Sequence, residues 1–469
     1  MSEEPESSYE NQVADLVKRY EQMLRGNEQF FFDVDDYQDI VSHYMNNEKH
    51  LKAIKVLDIA KAQHPYSFDL LLQESELLIM TGNHKKALAL LEKAETFEPC
   101  NTDLFLMRAS VYSQLGSFEK AINNLKQAID ITVEDVDDIY MNLAFEYENA
   151  GKMDEAIVYL KLALQENPKN HDTLYEIAYC YDQAGKLNES VKFYKEFIDN
   201  DPYSHSAWYN LGYAYSRMEK FDKALEAYDF ATIIKEDFGS AYINKANTLA
   251  QLGDYTKAID TYNEGLKYET PDANVYYYLG ECYEKLESFD MALSNYNKAI
   301  KTDPFMADAW LGIGIVMDTK GMTPEGLHFV KKAIELQKDN PDYWLVLADI
   351  CRKSGAIEDA KEAYEKVISI APENIDLWLD YSDMYFAQNL PEEAIDIISE
   401  GIKHNPDKAE LYYRAAACFL SIGYDTDTYE NLNQALDLDF EKHSQLFEYF
   451  PIAKSTIFVL DLIDAYKPA

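Results

Sequence analysis

The chain has 469 residues, 84 of them acidic and 43 basic, for a net charge of −41. A field of that sign repels phosphate backbones and anionic lipid surfaces, so nucleic acid and membrane binding are disfavoured and basic partners are attracted. The 47% apolar content is that of a folded protein, and no apolar run is long enough to cross a membrane.

The first residues, MSEEPESSYE, show no basic region followed by an apolar run, so no secretory signal is expected, and residues 1–8 are expected to be disordered. From Gln12 to Gly26, the side chains Val13, Leu16, Val17, Tyr20, Met23 and Leu24 fall on one helical face. Residues 1–33 therefore read as a disordered start and a capping helix. Docking of a partner, or of a second copy, is the alternative use of that face.

At Val34 an internal period of 34 residues takes over. Units begin near Val34, Phe68, Thr102, Asp137, His171, His205, Gly239, Ala273, Ala307, Pro341, Ile375 and Ala409, with one extra residue in the acidic loop from Val133 to Asp138. Each unit is expected to be two antiparallel helices joined by a tight turn. Gly82, Gly116, Gly151, Gly185, Gly253, Gly321, Gly355 and Gly423 share the fifteenth place, and Asn389 stands there once. Glycine, and next to it asparagine, takes the left-handed conformation that ends a helix at low cost. Pro65, Pro99, Pro168, Pro202, Pro304, Pro372 and Pro406 close the second helix. Asp35, Asp69, Asp103, Asp138, Asp172, Asp308, Asp342 and Asp376 recur at the second place, where the positive end of the first helix favours them. The array runs over residues 34–442. Residues 443–469 read as a C-terminal capping helix, from Ile452, Ile457, Phe458, Leu460, Leu462 and Ile463 between Pro451 and Tyr466.

The clearest copy of the pattern carries Tyr276, Leu279, Gly280, Tyr283, Ala292, Tyr296, Ala299 and Pro304. Another carries Trp208, Leu211, Gly212, Tyr215, Ala224, Tyr228 and Ala231. These residues resemble the tetratricopeptide repeat family from Val34 to about Lys442. Arg108 and Lys245 depart from its leucine, and Ser190, Gly326 and Thr428 from its second-helix alanine. The expected fold is an all-α solenoid of about twelve such helix-turn-helix units with helical caps. The resemblance implies a right-handed superhelix, whose concave face, made by the first helices, holds extended peptides or partner helices.

No catalytic constellation, phosphate loop or paired metal-ligand spacing appears, so neither an enzyme nor a cofactor or metal is expected. The five cysteines are odd in number and dispersed, which fits a reducing compartment, and a cytoplasmic location is expected. Candidate partner-binding residues on the inner places are Asn142, Phe145, Tyr175, Tyr179, Tyr209, Asn210, Tyr213, Asn244, Asn247, Tyr277 and Tyr278. Tyrosine offers contact area with one polar handle, and asparagine can pair with both groups of a peptide backbone. The alternative is that these aromatics pack neighbouring first helices together. Replacing Tyr179, Tyr213 and Asn210 by alanine is expected to abolish capture. Arg217, Lys285, Arg352, Lys353 and Arg414 offer a looser anion contact, not the basic clamp of chaperone-tail receptors. The function expected is a scaffold or adaptor binding a protein or peptide. The alternatives are a peptide sensor that changes curvature on binding and a substrate-recruiting subunit of an enzyme complex. The spacing specifies neither the partner's sequence nor an oligomeric state.

Overall fold

A computed structural model describes residues 3–26, 30–132 and 136–467. The chain forms two compact units, residues 1–236 and 237–469. In the first, α1 (Glu3–Arg25) precedes six helix pairs: α2 and α3 (Val34–Asn46, His50–Gln63), α4 and α5 (Phe68–Met80, His84–Glu95), α6 and α7 (Thr102–Gln114, Phe118–Ile131), α8 and α9 (Val136–Asn149, Met153–Glu166), α10 and α11 (His171–Gln183, Leu187–Asn200), and α12 and α13 (His205–Arg217, Phe221–Ile234). The second holds α14 and α15 (Gly239–Gln251, Tyr255–Gly265), α16 and α17 (Ala273–Lys285, Phe289–Thr302), α18 and α19 (Ala307–Thr319, Thr323–Leu336), α20 and α21 (Pro341–Ser354, Ile357–Ile370), α22 and α23 (Ile375–Ala387, Pro391–His404), and α24 and α25 (Ala409–Ser421, Asp425–Leu438). After a 3-10 turn at Phe440–His443 come α26 (Ser444–Tyr449), a second 3-10 turn at Pro451–Ser455 and α27 (Ile457–Ala465). The fold is an all-α solenoid, and the described residues contain no strand.

Every first helix starts at the residue expected from the register except α8, which starts one residue early, at Val136. Residues 133–135 of the acidic loop lie outside the described residues. The precision comes from the caps. Asp33, Ser67, Asn101, Asn170, Ser204, Asp272, Asn340 and Asn374 each accept a bond from a backbone N–H of the first turn. The next residue but one is usually the recurring aspartate, on the positive end of the helix. α1 begins at Glu3, well before Gln12 and inside the segment for which no order was expected; Met1 and Ser2 lie outside the described residues. Pro5 falls in the first turn of α1, where its missing N–H breaks no bond.

All eight turn glycines and Asn389 have positive φ. So do three glutamates, Glu48, Glu219 and Glu287, at the fifteenth place of units that lack glycine. The next N–H in each turn reaches back five residues, as in Asp254 to the Leu249 carbonyl (3.0 Å), Lys220 to Tyr215 (2.9 Å) and Ser288 to Tyr283 (2.8 Å). That bond forces the left-handed residue whatever its side chain. A left-handed non-glycine residue carries a penalty of about 1–2 kcal/mol, offset by the roughly 0.5–1 kcal/mol more that glycine loses on ordering. Glu219→Gly and Glu287→Gly are therefore each expected to stabilise the chain by up to about 1 kcal/mol. A rise in the urea midpoint checks this.

Between the helices, small residues receive large ones. A Cβ on Gly280 would sit 2.5 Å from the ring of Tyr296, and one on Gly312 would meet the same ring at 2.7 Å. Tyr296, 1% exposed, is gripped between the two. The departures from the repeat pattern have local reasons. Gly326 lets α19 approach α18, since a Cβ there would lie 2.8 Å from the Gly314 carbonyl oxygen. Arg108 reaches back to Glu95 at 2.7 Å, and the Thr428 hydroxyl bonds the Tyr424 carbonyl at 2.9 Å.

At the chain's beginning, Val13, Leu16 and Tyr20 of α1 are buried, and Tyr20 meets Phe32 edge-on at 6.2 Å. At its end, Val459, Leu462 and Ile463 of α27 pack with Leu432, Ala435 and Leu436 of α25. The expected single helix from Pro451 to Tyr466 is broken at Thr456, because Pro451 starts a 3-10 turn that the Thr456 N–H closes on the Ala453 carbonyl at 3.1 Å. No helix among the described residues is long and apolar enough to cross a membrane.

Candidate partner-binding site

The expected inner residues occupy three places of the first helices, and the places differ in what they do. The ninth place runs Phe145, Tyr179, Tyr213 in the first unit and Asn247, Glu281 in the second. The fifth place holds Tyr175, Tyr209 and Tyr277, and the sixth holds Asn142, Asn210, Asn244 and Tyr278.

On the first unit, Asn142 is exposed, and so are Phe145 (57%) and Tyr179 (49%). The fifth-place rings are half-buried and pack between helices: Tyr175 meets Tyr209 edge-on at 5.8 Å, and Tyr209 lies 5.9 Å from Tyr228. The Tyr175 hydroxyl lies 3.3 Å from Ser206 Oγ. Tyr213 donates to Asp182 Oδ2 at 3.0 Å, while Arg217 Nε holds the other oxygen at 2.9 Å. Asn210 is 1% exposed. A triple alanine change at Tyr179, Tyr213 and Asn210 would thus also disturb contacts between repeats; Phe145 and Tyr179 are the exposed pair.

Glu146 stands next to Phe145 with its Oε2 buried and unpartnered, and burial raises its carboxyl above the ordinary range against a smaller lowering by Ser113. A folded value above the unfolded one means that stability is present at low pH and lost as pH rises through the folded value. Glu146→Gln is accordingly expected to raise the urea midpoint at neutral pH and to leave it nearly unchanged in mildly acid solution.

In the second unit, α14, α15 and α16 enclose a pocket of about 390 Å³. Its walls carry Asn247, Tyr255, Tyr262, Tyr278, Glu281 and Lys285. The pocket opens because the twelfth place of this repeat is Ala250, where other repeats carry Glu148, Asp182, Glu284 or Arg352. Tyr262 donates to Asn247 Oδ1, and Asn247 Nδ2 points to Asn244 Oδ1 at 3.4 Å, so both amides are oriented. Tyr277 packs 5.4 Å from Tyr278 and 5.8 Å from Tyr296, and its hydroxyl donates to Glu281 Oε1 at 2.9 Å. Tyr278 keeps 40% of its surface exposed. Burial pushes the Glu281 carboxyl up; the Tyr277 bond and Lys285 work against it, and Glu284 and Asp308 add to it. The arrangement is a desolvated carboxyl below an exposed ring, with fixed amides alongside. It can take a cationic or hydrogen-bonding side chain.

Most of the expected cations are already engaged. Arg414, 2% exposed, bonds Asp383 at 2.6 Å between the rings of Phe386 and Tyr449. Arg352 and Lys353 share Asp349 at 2.7 and 2.5 Å, and Arg217 holds Asp182. Lys285 lines the pocket. Cys180, Cys282, Cys351 and Cys418 are buried free thiols, and burial pushes that of Cys282 up to about 11.

Sequence profiles described as tetratricopeptide repeats match residues 102–132, 149–211, 205–238, 246–287, 273–306 and 352–418, together just over half of the chain. The chain belongs to the tetratricopeptide repeat family. No curated protein matches it significantly in sequence. Among solved structures it is similar to the APC/C hetero-tetramer Cut9-Hcn1, with 15% identity, 86% of this chain and 92% of that one covered, and a TM-score of 0.42. It is also similar to YrrB, a TPR protein with an unusual peptide-binding site (21% identity, 39% and 95% covered, TM-score 0.34). The MamA RS-1 ArsTM double mutant is similar at 19% identity (36% and 96% covered, TM-score 0.34). Likenesses of this size add nothing to what the helices themselves show.

Within the tetratricopeptide repeat register, Glu281, Tyr255 and Gln251 line the pocket without having been expected there. For Glu281 a signal existed: it continues the ninth-place stripe of Phe145, Tyr179, Tyr213 and Asn247. Tyr255 and Gln251 have none, since what admits them is the small side chain of Ala250.

Proposed function

We propose that this tetratricopeptide repeat protein is a non-enzymatic interaction scaffold that holds an extended segment of a partner protein along the inner places of its first helices. The observation that carries the proposal is the pocket formed by α14, α15 and α16, where the exposed Tyr278 ring, the oriented Asn247 amide and the half-buried Glu281 carboxyl converge. Such a pocket suits a lysine or arginine side chain: the ring supplies a cation–π face, and the carboxyl gains a charge that relieves its desolvation. The chain's net charge of −41 biases encounters toward basic segments in the same sense. Asn244 and Asn247 are placed to pair with a peptide backbone. In the first unit, Asn142, Phe145 and Tyr179 form an exposed surface of their own at the same places, with Tyr175, Tyr209, Asn210 and Tyr213 packed around it; in the second, Tyr277 packs beside Tyr278. The four buried free thiols suit a reducing, cytoplasmic setting.

The test is affinity capture by the intact chain from its native lysate, beside a Phe145→Ala, Tyr179→Ala, Tyr278→Ala variant. All three rings are exposed, so helical content should be unchanged while captured proteins are lost. An identical set of captured proteins with both chains would count against the inner surface.

A further inference from the structure

In the first unit, α3, α4 and α5 enclose an apolar groove of about 700 Å³, lined by Leu51, Ile54, Leu77, Leu78, Leu90 and His50. Leu51 is 79% exposed and Ile54, one turn on, 42%. The repeats themselves show that the fold does not ask for this. At the eighteenth place, where Leu51 stands, other repeats carry Lys85, Glu119, Asp154, Asn188, Asp222 or Glu392. Across the groove, Ala89 stands where later repeats have Val158, Lys192 and Glu226, which leaves the apolar floor uncovered.

The charged side chains that line the groove are Glu74, which Lys61 holds at 2.7 Å, and the exposed Lys86. Lys86 has no carboxylate of the described residues within ion-pair distance, although the chain has 84 acidic residues. An occupant must therefore bring bulky apolar side chains one helical turn apart and a carboxylate beside them.

The chain carries such a surface at its other end. α27, IFVLDLIDA, buries Val459, Leu462 and Ile463, and on its outer face, beside Asp461 and Asp464, Ile457 is 74% and Leu460 38% exposed. Asp461 follows one turn after Ile457, is exposed, and has no basic side chain of the described residues within ion-pair distance, whereas Asp464 is held by Lys467 at 2.5 Å. We propose that the α3–α5 groove receives the outer face of α27 from a second copy of this chain. Ile457 and Leu460 lie against Leu51 and Ile54, and Asp461 faces Lys86. The two patches differ, so the contact is heterologous and joins copies head to tail, or closes on itself in a ring or a reciprocal pair.

Sedimentation velocity of the intact chain across the micromolar range tests this. The weight-average mass should rise with concentration, and Leu51→Glu or Ile457→Lys alone should each weaken association at least about tenfold, by placing a like or unpaired charge in the contact. Both side chains are about three-quarters exposed, so thermal unfolding should not change, and Leu51→Gln serves as a milder second variant. An equimolar mixture of the Leu51→Glu and Ile457→Lys chains should form one-to-one pairs and nothing larger, because each retains one intact surface. A wild-type chain that stays monomeric throughout overturns the proposal. So does a mixture that stays monomeric while the wild type associates.

Discussion

Trp378→Ala is expected to destabilise the second unit by about 3–5 kcal/mol, the cost of emptying a fully buried indole site. All four tryptophans stand at the fourth place of their repeats, and each indole N–H reaches back to the preceding loop: Trp208 to Pro202 at 2.9 Å, Trp310 to Pro304 at 3.0 Å, Trp344 to Lys338 at 2.9 Å and Trp378 to Pro372 at 2.8 Å. Trp378 is the one at 0% exposure. It stacks on His404 at 5.7 Å, and a Cβ on Gly401 would come within 2.7 Å of it. Gly401 stands where other repeats carry Ala231 and Ala333, so the indole is accommodated by a methyl missing from the facing helix. Gly401→Ala is expected to destabilise too, by overpacking the same contact. Repeats touch only their neighbours, so the loss should be local. Hydrogen exchange read by mass spectrometry should show α22 and α23 losing protection while α4 to α9 keep theirs. Uniform loss along the chain would contradict a nearest-neighbour array.

The second large effect concerns the pocket. Glu281→Gln is expected to weaken binding of lysine- or arginine-containing peptides by about tenfold to a hundredfold, and Tyr278→Ala by a similar factor, since each removes one of the two groups that hold a cation. The charge change leaves shape nearly untouched, and Tyr277 can still donate to the amide oxygen. Binding should also depend on pH in a defined direction. Burial holds the Glu281 carboxyl above the ordinary range, so the peptide's cation meets a charged partner only above that raised value. Affinity should fall as pH is lowered through it, in the wild type and not in Glu281→Gln. Isothermal titration with a short basic peptide at several pH values, using both chains, checks sign and size together.

Much of the fold was legible in the residues because the repeat states it twelve times over. Most first helices cannot shift by one residue without losing an Asx or serine cap, a second-place aspartate or a left-handed turn, so the expected starts and the observed ones agree almost throughout. Even the left-handed glutamates follow from the register, although no glutamate by itself announces such a turn. The site was less legible. Asn142 and Asn210 occupy the same sixth place, yet one is exposed and the other buried. The place says which way a side chain leaves the helix; the neighbouring repeat decides whether space remains. The pocket was hidden for the same reason. It depends on Ala250 being small, and an alanine in a helix of a repeat protein carries no sign of what it leaves open. The broken C-terminal helix and the early start of α1 lie outside the periodic region, where no neighbouring copy constrains the ends.

Selection of a random-peptide display library on the intact chain, run beside the Tyr278→Ala, Glu281→Gln chain, tests most directly that this protein holds peptide segments on its inner surface. The wild type should enrich extended sequences with a lysine or arginine at a constant position, and the variant should lose that residue from its selected set. No enrichment by the wild type, or the same sequences enriched by both chains, would contradict it.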